Sequence, residues 1–191
     1  MSSRGSLLLV AALSVGAVTL LAAGACSSSA HPQAAASSAA PTPAPRSSPV
    51  SITLTSAAFH SYGEIPAAYT CDAPSGAATS PPLKWSGVPA GTAWQALYAY
   101  DNTGSVVHWV LMDLEPAVSS LPADTTGGAV VVTNYLPMCP GAGNTDQYQF
   151  TIYAEPAGYH PPKIGGMYAV DPDQLAAHAL GIGTLFGNYS Q

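Results

Sequence analysis

Asp101 and His108 flank the turn Asn102-Thr103-Gly104-Ser105, and of all side chains here they come nearest to a working pair. A carboxylate beside an imidazole suits general acid–base chemistry, but hydrolysis by such a pair also needs an activated nucleophile. None is signalled: the chain has no G-x-S-x-G elbow, no H-E-x-x-H, no C-x-x-C and no Gly-rich phosphate loop joined to a lysine. The histidines, at positions 31, 60, 108, 160 and 178, are isolated from one another, which argues against a metal site of the readable kind. These residues therefore point to binding rather than catalysis, with no cofactor.

Cys26 carries a different chemistry. It closes a run with a charge at Arg4, an apolar middle from Leu7 to Ala23 and a small-residue exit, Ala23-Gly24-Ala25. That order describes a secretory signal rather than a folded helix. Ending on cysteine, it resembles a bacterial lipoprotein signal, with Ala23 where such signals usually carry leucine. The resemblance implies removal of residues 1–25, a lipid on the Cys26 sulfur, and a protein anchored to the cell membrane outside the cytoplasm. The alternative is a spanning helix, for which an apolar run of about 17 residues is at the short limit.

Residues 27–50 are mostly Ser, Ala and Pro, with no aromatic residue and one charge, Arg46. Such a segment buries too little apolar surface to offset its ordering entropy and is expected to be a disordered tether. As a coil it spans about 25 to 30 Å. The remainder, 51–191, is expected to be one domain. It holds all ten acidic residues of the chain and, of the basic ones, only Lys84 and Lys163. That balance excludes nucleic acid, whose binding draws on Lys and Arg neutralising phosphates. With Cys26 lipidated, Cys71 and Cys139 are left either as a disulfide in an oxidising compartment or as two buried thiols.

The elements expected to position these residues are mainly strands. Ser51 to Thr55 alternates, Ala93 to Tyr100 and Val106 to Leu114 read as strands of a hairpin, and Ala129–Thr133 and Tyr148–Ala154 read as further strands. One short helix is expected late, with Asp171 as N-cap, Pro172 at its first position, Leu175 and His178 at helical spacing, and Gly181 or Gly183 as its end.

The order Ile65-Pro66-Ala67-Ala68-Tyr69-Thr70-Cys71-Asp72, Ser80-Pro81-Pro82-Leu83-Lys84-Trp85, Tyr100-Asp101, Val107-His108-Trp109-Val110 resembles the phosphatidylethanolamine-binding protein (PEBP) family, in its bacterial Raf-kinase-inhibitor-like branch. The likeness continues through Met138-Cys139-Pro140 and Tyr148-Gln149-Phe150 to Ala177-His178-Ala179-Leu180 and Gly187-Asn188-Tyr189. It implies a sandwich of packed antiparallel sheets with a short C-terminal helix and an anion-accepting pocket at one end. By motif position that pocket falls on Asp101, His108, Pro140, Gly141, Asp146 and Tyr148. Two departures stand out. The family's Asp-Pro-Asp-Ala-Pro string is reduced to Asp101-Asn102-Thr103-Gly104, and Asp146 replaces a histidine, adding negative charge where an anion would sit.

Each residue also has a structural reading. Asp101 is able simply to bond the turn backbone, His108 to be a satisfied core histidine, and Tyr148 to pack its ring. The reading that follows is a membrane-anchored, non-enzymatic binder of a small anionic or polar ligand. The alternative is a protein-interaction or inhibitor module whose partner is an extracytoplasmic enzyme.

Overall fold

The structure, a computed structural model, describes residues 47–125 and 128–191. Cys26, the signal and most of the tether lie outside the described residues. In chain order the elements are β1 (Val50–Ser51), β2 (Thr53–Thr55), β3 (Gly63–Glu64), β4 (Leu83–Ser86), β5 (Thr92–Asp101), β6 (Val106–Leu114), β7 (Ser120–Leu121), β8 (Val130–Thr133), β9 (Thr145–Pro156), β10 (Lys163–Ile164), β11 (Met167–Tyr168), α1 (Pro172–His178) and β12 (Gly181–Ser190). The class is mainly β with one short α-helix, as expected.

The main sheet runs β1-β12-β9-β5-β6-β8, with β3 also paired to β12. It is antiparallel except where β1 and β3 run parallel to β12. A second, three-stranded sheet, β2-β4-β7, covers one face. Between them lies the principal core, with Leu54, Trp85 and Leu121 of the small sheet meeting Leu97, Trp109, Phe150, Ile152 and Leu185 of the large one. On the other face Trp94, Ala96, Val110, Met112 and Tyr153 pack beneath Leu175 and Ala179 at the helix. Because β6 is covered on both faces, its sequence reads as a nearly continuous apolar run rather than an alternation.

The helix begins as its sequence predicts, with the Asp171 side chain accepting from the Asp173 amide at 2.9 Å and Pro172 at the first position. Its end differs. The helix stops at His178 with Ala179 as the cap, and Gly181 opens β12 instead. The glycines answer to packing: a Cβ on Gly183 would stand 2.6 Å from the Ile52 carbonyl oxygen, and one on Gly187 2.6 Å from the Ile65 side chain. They let β12 lie close against chain segments that cross its face.

Candidate functional site

Asp101 is the last residue of β5, where the chain must turn into β6. Its Oδ1 accepts hydrogen bonds from the amides of Thr103 (2.7 Å) and Gly104 (2.8 Å), the turn-bonding role open to an aspartate at this position. A Cβ on Gly104 would stand 2.6 Å from Oδ2, so the glycine leaves room for the second oxygen.

His108 is turned toward Asp101's face by an irregularity in pairing. Ala99 pairs with Trp109 and Tyr100 with Val107, so one step along β5 takes two along β6 and His108 is the extra residue of a β-bulge. Val107 packs with the helix-side core, whereas Trp109 belongs to the core between the sheets. The bulge lets His108 share the Trp109 side, where its ring meets Tyr148 edge-on at 5.2 Å and 88°. Nδ1 lies 2.9 Å from the Leu136 carbonyl oxygen. A carbonyl only accepts, so Nδ1 carries the hydrogen and Nε2 is the ring nitrogen left for a ligand.

Tyr148 pairs with Asp101 across the β5–β9 ladder, and Asp146 lies two residues before it on the same face of β9. The Tyr148 hydroxyl is buried without a hydrogen-bond partner. Burial, then the charges of Asp101 and Asp146, push the phenol well above its ordinary range; the nearby Cys139 backbone opposes them. Asp146 is also raised, by burial first, then by the Asp101 charge and a hydrogen bond between the two side chains, with His108 pulling the other way. That placement favours a proton held on Asp146.

The loop expected to complete the site is anchored by a disulfide joining Cys71 to Cys139. The Cys71 amide also donates to the Met138 carbonyl at 3.1 Å. Pro140 follows and is buried, while Gly141 is exposed and accepts from the Asn144 amide at 2.9 Å. The structure thus brings together Asp101, His108, Asp146 and Tyr148. It sets Pro140 and Gly141 beyond Cys139, whose backbone flanks Tyr148, with no described hydrogen bond from either to the cluster.

A pocket was expected here, and the four polar side chains that would line it are nearly fully buried. Relative exposures are 4% for Asp101 and His108, 8% for Asp146 and 1% for Tyr148. Five cavities along the described residues lie elsewhere, and none of the five is lined by these side chains. Sequence reasoning missed the Leu136 carbonyl and the bulge; neither has a residue-type signature. Among the described residues no group of three His, Cys, Asp or Glu side chains is placed to hold a metal ion.

The family model for phosphatidylethanolamine-binding protein matches residues 55–190. The chain belongs to that family. A UPF0098 protein of Mycobacterium tuberculosis is 33% identical over 147 residues, covering 72% of this chain and 70% of the relative. One from Chlamydia muridarum is 32% identical over 153 residues, covering 72% and 98%. Among solved structures, a putative PEBP homolog from Chlamydia trachomatis superimposes with a TM-score of 0.59 at 29% identity, covering 74% of this chain and 98% of that one. E. coli YbcL, described as a new member of the mammalian PEBP family, gives 0.61 at 25% identity, covering 73% and 98%. Within this PEBP fold, this chain buries a carboxyl pair, Asp101 with Asp146, beside the histidine and tyrosine.

Proposed function

We propose that this PEBP-family protein is a non-enzymatic lipoprotein of the Raf-kinase-inhibitor-like branch. It is held on the outer side of the cell membrane through Cys26 and binds a small polar ligand, or an oxyanion taken up together with a proton, at Asp101, His108, Asp146 and Tyr148 beside the Pro140-Gly141 loop. The observation that carries this reading is the convergence of the bulge-turned His108 with the unpartnered Tyr148 hydroxyl, a donor buried with nothing to donate to. Unsatisfied buried polar groups cost free energy, and a ligand oxygen would recover it. The carboxyl pair disfavours a fully ionised phosphate but supplies a donor when it retains its proton. Catalysis is not part of the reading, because among the described residues no hydrogen bond joins His108 to a serine or cysteine.

The test is titration of the detergent-solubilised protein with inorganic phosphate and with glycerol while the ring resonances of His108 and Tyr148 are followed. Saturable shifts of both rings support the site; silence at millimolar phosphate and glycerol ends it. For the anchor, Cys26→Ser is expected to carry no lipid by mass spectrometry and to leave the membrane fraction, whereas continued attachment would mean a spanning segment.

One observation favours the interaction-module reading. The β10–β11 hairpin, turned by Gly165 and Gly166 at positive φ, exposes Ile164 (71%) and Met167 (68%) at its tip. If that tip engages an extracytoplasmic enzyme, Ile164→Ser with Met167→Ser abolishes capture of that enzyme while phosphate titration is unchanged.

A further inference from the structure

The face of the main sheet opposite the His108 cluster carries a cavity of 480 Å³, the roomiest of the five described. Its walls include Trp94, His160 and Tyr168, with the carboxylates of Asp113 and Glu115. The rings are ordered. The Trp94 indole N–H donates to the Tyr159 carbonyl at 2.9 Å, and His160 stacks on Trp94 at 4.4 Å with 15° between planes and on Tyr168 at 6.0 Å with 18°. Aromatic faces bounded by carboxylates attract positive charge: the ring quadrupole and the anions act in the same direction.

Asp113 is aimed by the backbone. Leu111 pairs with Leu97 and Leu114 with Gln95, so Met112 and Asp113 span a second bulge, and Asp113 adopts φ 57°. One carboxylate oxygen, Oδ2, accepts from the Tyr168 hydroxyl at 2.8 Å. The other, Oδ1, is buried without a hydrogen-bond partner, and His160 Nδ1, 3.6 Å away, is in ion-pair range of it only when the imidazole is protonated. The Tyr168 ring already faces a cation, Lys163 Nζ at 4.3 Å from its centroid. Around it the folded part carries two lysines against ten acidic residues, a field that concentrates cations.

We infer that this cavity is a second binding site, for a small organic ammonium ion seated against the wall formed by Trp94, His160 and Tyr168, with Asp113 as its counter-charge. A metal ion is a poorer fit, because no trio of ligating side chains is assembled among the described residues. The inference is independent of the His108 cluster, which lies on the other face.

The test titrates the detergent-solubilised full chain with tetramethylammonium and with tert-butanol, its neutral isostere, and follows the Trp94 indole N–H resonance. A saturable shift with tetramethylammonium and none with tert-butanol is expected. Asp113→Asn and Tyr168→Leu should each weaken binding about tenfold, while Glu64→Gln, an exposed carboxylate elsewhere, leaves it unchanged. If Asp113→Asn does not fold, the Tyr168→Leu result decides. An equal response to tert-butanol, no response up to about 50 mM tetramethylammonium, or equal weakening by the Glu64 and site variants would overturn the inference.

Discussion

Asp146 and Asp101 share one buried corner of the β5–β9 ladder, and after burial itself the Asp101 charge is the main reason Asp146 resists ionising. That relationship decides what the PEBP-like site accepts. A protonated pair donates to an oxyanion, while a doubly ionised pair repels it.

The first prediction follows from that sign. The Asp146 carboxyl is raised above its ordinary range, so the folded protein keeps a proton that the unfolded chain gives up. The associated stability is full below the unfolded-state value and is lost as pH rises through the folded one. Phosphate affinity is expected to fall over the same interval, since the donor disappears. In Asp146→Asn the pH dependence of phosphate binding, read by calorimetry between pH 4 and pH 8, should flatten. An unchanged slope would mean that another group controls uptake.

A second titration is stored on the helix side of the sheet. Glu155, opposite Trp94 in the ladder, is fully buried and neither carboxyl oxygen has a hydrogen-bond partner. Burial pushes its carboxyl up to about 8. Because the folded value exceeds the unfolded one, stability should decline as pH rises from about 4.5 toward 8, by an amount on the order of a few kcal/mol. Urea unfolding at pH 5 and pH 8 checks this. Glu155→Gln should abolish most of the decline and be the more stable form at pH 8.

Legibility from sequence followed how local each determinant was. The β5–β6 hairpin and the start of α1 were legible because their signals, alternation around a turn and an Asp-Pro entry, sit within a few residues. β12 was not, because Gly181 and Gly183 read as a helix end, whereas with Gly187 they admit Ile52 and Ile65 at close range, a relationship between distant segments. Asp101, His108, Asp146 and Tyr148 were named through family motifs. Their meeting depends on a bulge at His108 that residue types do not announce, and strand spacing alone gave no reason for His108 to approach Asp101. The burial of the cluster was illegible for the same reason, since burial arises from what packs over a site.

The disulfide supports a third prediction. Cys71 and Cys139 are separated by 68 residues in sequence, and their bridge holds the Met138-Cys139-Pro140 segment beside Thr70-Cys71-Asp72. Closing a loop of that length stabilises the fold by about 4 kcal/mol on the chain-entropy account. The double variant Cys71→Ser, Cys139→Ser should lose about that much in urea unfolding, and should weaken phosphate binding because Cys139 flanks Tyr148. Loss of stability without any change in binding would separate the loop from the site.

Gly104 tests whether the turn tunes the carboxyl pair. Nothing in its backbone conformation requires glycine, since its φ is not in the positive range, but an added Cβ would come within 2.6 Å of Asp101 Oδ2. Oδ1 is held by two turn amides, so the Asp101 carboxyl has little freedom to rotate away without losing one of them. Gly104→Ala is therefore expected to cost about 1 to 3 kcal/mol through overpacking and to draw Asp101 off Asp146. Freed of that neighbour, Asp146 should titrate closer to an ordinary carboxylate, a shift measurable from its side-chain carbon resonance against pH. If Asp146 titrates as before in a folded Gly104→Ala protein, burial alone governs it, and the Asp101 contact does not set the proton inventory of the site.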